Sequence, residues 1–321
     1  MTKYAIIVYV SLTALVLTTL FAPACGEAAS FYSQLSVGKA VVHGNLAVYP
    51  VYLPGGGEKL GDVLTMAEAV EAGKFRITER EEGASVNALE VHNDTAKYVV
   101  LLAGEMVRGA KQDRIISFDV VVPPRGKVGV DAFCVEAGRW TEVSKHFKYE
   151  KEIAPASVRS AAQGKRDQNR VWAEVSKVNV ERGAVTGTDA LTASYDDAEF
   201  RADVKKYEKA LKGLAKNKEV VGVIVVAEGK VKAGDVFANH DLFAAVWPRL
   251  LTSYAMDAAL AGELGKVPPA SAIASYLAQL EDAERERTYA DELQKRSSLS
   301  AGEMAAYELE YKGKKVHVNV Y

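Results

Sequence analysis

The chain has only two cysteines, Cys25 and Cys134, and five histidines, each isolated: His43, His92, His146, His240 and His317. That scarcity excludes a disulfide framework, paired-cysteine zinc spacing and the His-Glu-x-x-His arrangement. Blocks of one charge are also absent. Forty lysines and arginines nearly balance 42 aspartates and glutamates, with the signs mixed, so there is no electrostatic footprint for nucleic acid or an anionic membrane surface. Three consecutive glycines, Gly55 to Gly57, lead to Gly61-Asp62 rather than to Lys-Ser or Lys-Thr, so they form no phosphate-binding loop. Repeats and low-complexity tracts are missing, and none of these patterns requires a cofactor. With 49% apolar residues over 321 positions, the chain is long enough to bury a substantial core.

What is present begins at the N-terminus. Lys3 precedes an apolar run from Ala5 to Phe21 and then Ala22-Pro23-Ala24-Cys25, the charged, apolar, small-residue order of an export signal. Residues 1–29 are therefore expected to be a signal and residues 30–321 one domain, periplasmic or secreted. An uncleaved anchor is the alternative, because the run is at the short limit for spanning a bilayer. Cleavage after Ala24 or near Ala28-Ala29 competes with removal before Cys25 and lipid attachment to its thiol, which would anchor the domain to the envelope. Membrane contact is expected only through that segment or that lipid. Without Cys25, Cys134 has no partner for an intramolecular disulfide and is either a buried small hydrophobe or a reactive thiol.

The first half reads as strands. Val37 to Val51 is a strand pair turning at Gly44-Asn45, and Thr65 to Ala72 is a short helix with a Thr65/Glu68 capping box and a stop at Gly73. Phe75–Arg80, Val86–His92, Tyr98–Glu105, Arg114–Val122 and Val128–Glu136 follow as an antiparallel meander or sandwich. Helical spacing takes over at Asp167–Val180 and Asp196–Lys216. A buried strand, Val220–Ala227, precedes a helical face carrying Val246, Trp247, Leu250, Leu251 and Tyr254, with Pro248 marking a first turn or a kink. A further helix is expected from Pro269 to Leu293, then a hairpin turning at Lys312-Gly313. The fold class is α+β: a β-rich first half, a helix-rich second half and a C-terminal hairpin.

Gly104 to Trp140 concentrates the chemistry, because charge beside apolar strand sequence must be paired, exposed at a strand end or placed in a site. If Gly109-Ala110 is a hairpin tip, Glu105 faces Arg114, and a cross-strand ion pair explains both. Lys111, Gln112, Asp113 and Arg114 put two cations, an amide and a carboxylate at a strand entrance, a mix suited to a small polar or anionic ligand or to a solvated loop with one salt bridge. Glu136 and Arg139 flank the strand bearing Cys134. Trp140 beside them is suited to stacking on a ligand or closing the core. Cys134 with His92 or His146 is the one available sketch of thiol catalysis, against a packed core cysteine. Glu105, Asp113 and Glu136 would hold a hard cation only if they converged, and no metal site is expected. His317 falls opposite Glu308 if the last hairpin is regular.

At Gly104-Glu105, Lys111-Gln112-Asp113-Arg114, Cys134-Val135-Glu136 and Arg139-Trp140, and again over Phe237 to Trp247, the chain resembles the ARG-and-rhodanese-phosphatase-superfamily-associated domain family, across roughly residues 35 to 321. The family is largely uncharacterised, and the resemblance implies only that these polar motif residues suit an active or ligand-binding site. Many relatives are cytosolic or standalone domains, so the export signal is a departure. Two expectations follow. One is an exported module that binds a small polar or anionic ligand, or an envelope partner of unknown identity. The other is a hydrolase or transferase with Glu105 or Asp113 as general acid or base, and Lys111, Arg114 and Arg139 holding charge.

Overall fold

The computed structural model describes residues 29–80, 87–164 and 166–321. The export signal expected over residues 1–29, with its alternatives at Cys25, lies outside them except for its last residue. The fold is α+β, with antiparallel sheets in the first half, helices in the second and a C-terminal hairpin.

The helix Met66–Glu71 forms for the local reason the sequence announces. Thr65 Oγ1 accepts from Glu68 N while the Glu68 carboxylate accepts from Thr65 N, and Gly73 leaves the helix at φ +67°. The pair Val41–His43 and Leu46–Tyr52 turns at Gly44-Asn45. Two of the expected meander strands are each broken in two, however. Tyr98–Leu101 pairs with Val120–Val122 in a three-stranded sheet that also holds Val63–Thr65 in parallel, whereas Glu105–Gly109 pairs with Arg114–Ile116 in a six-stranded sheet. The register is the same in both, with Leu101 facing Val120 and Val107 facing Arg114. One long hairpin therefore bends at Leu102–Gly104 and Ser117–Asp119 and serves both sheets.

That bend places Asp119 and Gly104 at the centre of the molecule. Gly104 has φ +89°, and a Cβ there would lie 2.4 Å from Cδ of Arg159. Only glycine lets the hairpin corner lie against the stem of that buried arginine.

A nine-stranded sheet joins distant parts of the chain in the order Ser36–Val37, Leu46–Tyr52, Val220–Ala227, Lys230–Phe237, Lys314–Val320, Met304–Tyr311, Gln294–Ala301 and Glu284–Ala290, with Val41–His43 also on Leu46–Tyr52. Val220–Ala227 is buried at every position because both faces are covered. Val223 and Val225 pack with Phe243 and Trp247 of the helix His240–Leu260, and Ile224 and Val226 pack with Ile273 and Leu277 of the helix Ala270–Ala278. Each such side chain contributes about 1.5–3 kcal/mol.

Of the two expectations for Pro248, the first-turn position is overturned. His240–Leu260 is one helix of 21 residues with Pro248 inside it. The bond lost for want of a proline N–H is offset by burial on either side, at Phe243, Val246, Trp247, Leu250, Leu251 and Tyr254. The helix expected over Pro269–Leu293 stops at Ala278, and Glu284–Ala290 is instead an edge strand exposed along its whole length, whose charges discourage further pairing.

Candidate functional site

The structure brings together five of the eight expected site residues and bonds them mainly to one another, leaving Arg114 Nε buried without a partner among the described residues. Asp113 Oδ1 accepts from Gly109 N (3.0 Å) and Arg139 Nη2 (2.9 Å), and its Oδ2 accepts from Thr192 Oγ1 (3.0 Å). Glu136 Oε2 accepts from Asp113 N (3.2 Å) and Arg139 Nε (2.8 Å), while Arg139 Nη1 donates to the carbonyl of Ala110. Gln112 donates to the Glu136 carbonyl and accepts from Arg114. Burial pushes the Asp113 carboxyl up, and burial likewise pushes the Arg114 guanidinium down. Burial works against the Glu136 charge too, but bonds from Arg139 and from Asp113 N outweigh it and hold that carboxyl below its ordinary value. This is a latch that ties the tip of the bent hairpin to the end of the Gly126–Cys134 strand.

The remaining three stand apart. Lys111 is exposed, its ammonium 3.6 Å from Glu79. Trp140 is 57% exposed and closes no core. Glu105 does not face Arg114, because the hairpin tip is longer than Gly109-Ala110 alone. Ala110 turns at φ +46° and the Asp113 carboxylate holds Gly109 N, so the pairing moves by two residues and Arg114 lies opposite Val107. Glu105 is buried instead, accepting from Leu102 N (2.9 Å) and Tyr149 Oη (2.8 Å), with Arg249 at 3.7 Å; burial raises its pKa. Cys134 is also buried, and its thiol is pushed up by burial, so it has the character of a packed core cysteine. No metal-binding cluster of histidine, cysteine, aspartate and glutamate occurs among the described residues.

A second polar cluster escaped the sequence reading. His317 faces Leu309 rather than Glu308, since a bulge between Leu309 and Glu310 shifts the last hairpin; Glu308 turns to Tyr32, Arg285 and Lys315. The His317 imidazole lies between two carboxylates, with Nδ1 2.6 Å from Asp119 and Nε2 3.1 Å from Asp235. Asp235, wholly buried, takes two parallel bonds from Arg159 (2.9 and 3.1 Å) and one from the Tyr254 hydroxyl. Burial opposes charge on His317, yet Asp119 and Asp235 lift its pKa to about 9. Burial also opposes charge on Asp235, but Arg159 and His317 hold it well below the usual carboxylate range. Asp119, His317, Asp235 and Arg159 are thus an alternating, electrically neutral chain of four buried groups. It joins the hairpin bend, the large sheet and the helix Ala156–Gln163.

Tyr254 and Tyr321 lie over Arg159, their ring centres 5.7 and 5.8 Å from its guanidinium carbon. Both rings also line a cavity of about 500 Å³. Its inner wall is apolar, including Leu46, Val178, Val225 and Leu260, and seven serine, acidic or lysine residues share the lining. Asp257 accepts from Ser157 Oγ (2.8 Å) and Ala156 N (2.6 Å), capping the helix Ala156–Gln163, and burial raises its pKa despite those bonds. The Ser160 hydroxyl has no hydrogen-bond partner among the described residues and also lines the cavity. Glu174, Lys177, Glu228 and Lys232 complete the lining. None of the eight expected site residues lines it. A pocket of this size that combines an apolar inner wall with polar and charged groups is a form small-molecule sites take.

No curated protein and no solved structure matches the chain. A family model, however, matches residues 34–321, nearly all of the described structure, including the latch, the buried charge chain and the cavity. The chain belongs to the ARG and Rhodanese-Phosphatase-superfamily-associated Protein domain family.

Proposed function

We propose that this protein is a ligand-binding module of the cell envelope whose site is the cavity faced by Tyr254, Tyr321, Ser157 and Ser160. The observation that carries the reading is the cavity itself. Its volume of about 500 Å³ suits a small molecule with an apolar body and a polar group. The charged chain behind Tyr254 fixes that wall at low cost in reorganisation, because all four of its groups already have partners. The export order of the first residues supports an envelope location. Binding is favoured over hydrolysis or group transfer because Glu105 and Asp113 are buried and hydrogen-bonded, and neither lines this cavity.

Native mass spectrometry of the purified protein tests this. A small molecule should be retained by the wild type and lost from Ala261→Trp, which fills the cavity from its partly exposed rim. Equal retention by both proteins, or no retention together with no stabilisation by any compound of a metabolite panel, would sink the proposal.

A further inference from the structure

The polar groups at the cavity mouth are not equivalent, and the difference identifies a class of ligand. Glu228 and Lys232 satisfy each other at 2.5 Å, and Glu228 also accepts from Gly262 N. Asp257 is taken up by Ser157 and the helix N-terminus. That leaves Glu174 and Lys177. Both line the cavity, and neither makes a hydrogen bond or an ion pair within 4 Å among the described residues, although Lys177 acts at longer range on Glu228. They sit three positions apart on the helix Gln168–Arg182, so their charged heads share one rim.

We propose that the cavity takes a free α-amino acid with a large apolar side chain, a proposal that rests on the cavity being a ligand site. The ammonium goes to Glu174, the carboxylate to Lys177, and the side chain points inward among Leu46, Val178, Val225 and Leu260, with Tyr254 at its end. Charge complementarity selects this class. A simple anion meets Lys177 but is repelled by Glu174, and a simple cation meets the reverse. An α-amino acid carries both charges on one small headgroup, matching a carboxylate and an ammonium three positions apart on one helix and not paired with each other. Its apolar side chain then supplies the burial that surface charges alone do not. The hydroxyl of Ser160 offers one further hydrogen bond within the same cavity.

Isothermal titration of the purified protein with L-phenylalanine, L-tryptophan and L-leucine tests the class. N-acetyl-L-phenylalanine, which lacks the ammonium, and L-phenylalaninamide, which lacks the carboxylate, serve as single-charge controls. At least one free amino acid should bind, and phenylalanine should exceed both of its single-charge analogues by tenfold or more. Glu174→Gln should erase the preference over the N-acetyl compound, and Lys177→Met should erase the preference over the amide. Both substitutions are on the rim and should leave the melting temperature nearly unchanged, which separates lost recognition from lost folding. Equal binding of phenylalanine and its two analogues would overturn the assignment. Failure of all three amino acids, with a different small molecule retained in native mass spectrometry, would overturn the class while leaving the cavity a binding site. Failure of all three with nothing retained would overturn both.

Discussion

Arg159→Met should lower the unfolding free energy by about 3–5 kcal/mol, because it strands Asp235 in the interior with only His317 and the Tyr254 hydroxyl as partners. For a chain of this size that corresponds to a drop in Tm on the order of 10 °C. The size of the loss comes from the uncompensated charge rather than from the strength of the bridge. The double variant Arg159→Met, Asp235→Asn should accordingly recover part of it, since the orphaned carboxylate is gone. A loss below about 1 kcal/mol in the single variant would mean that the pair contributes no more than a surface salt bridge. Thermal and urea unfolding of the two variants and the wild type decide the matter.

The second large effect is on pH dependence. Folding raises the His317 pKa from an ordinary value of 6.5 to about 9, so the native state holds a proton that the unfolded state releases between those values. Stability from this group is complete below pH 6.5 and is lost as pH rises through 9, by up to about 3 kcal/mol. Asp235 has the opposite sign. Its carboxyl is held below the ordinary range, so its contribution persists through neutral pH and disappears only on strong acidification. Glu152, raised to about 7 mainly by burial, also makes stability fall with pH, but within the acid window up to pH 7. The His317 effect is therefore read between pH 7 and 9, by urea unfolding at several pH values. His317→Gln should be less stable at pH 7 and should lack the fall toward pH 9. An unchanged slope in that variant would assign the fall to another group.

How much of this was legible in the sequence depends on the range of the interactions. Local chemistry was readable: the Thr65 capping box, the turns at Gly44-Asn45 and Lys312-Gly313, and the buried run Val220–Ala227. The sequence also singled out Gln112, Asp113, Arg114, Glu136 and Arg139 as a chemically dense stretch, and one hairpin and the end of the neighbouring strand bring them together, though Arg114 was expected opposite Glu105. Hairpin arithmetic failed twice for the same physical reason. A longer loop moved Arg114 opposite Val107, and a bulge moved His317 opposite Leu309. Such shifts arise from a few backbone angles that composition does not reveal. The charge chain was beyond reach of local reasoning, since Asp119, Arg159, Asp235 and His317 come from four separated segments. One signal was available, however. Asp119 and Asp235 are each a lone carboxylate in an apolar strand context, the same feature that drew attention to Glu105.

The resulting division of labour is specific. The polar residues of Gly104 to Trp140 hold the hairpin in place, and the hairpin in turn presents Asp119 and Gly104 to the core beneath the cavity. Hydrogen exchange of the protein with and without the small molecule proposed to occupy the cavity tests that division most directly. The ligand should slow exchange in 156–163, 174–178, 228–233 and 254–261, the segments around the cavity, and leave 108–114 and 136–140 unchanged. Protection confined to 108–114 and 136–140 would place the ligand on the latch and contradict the account.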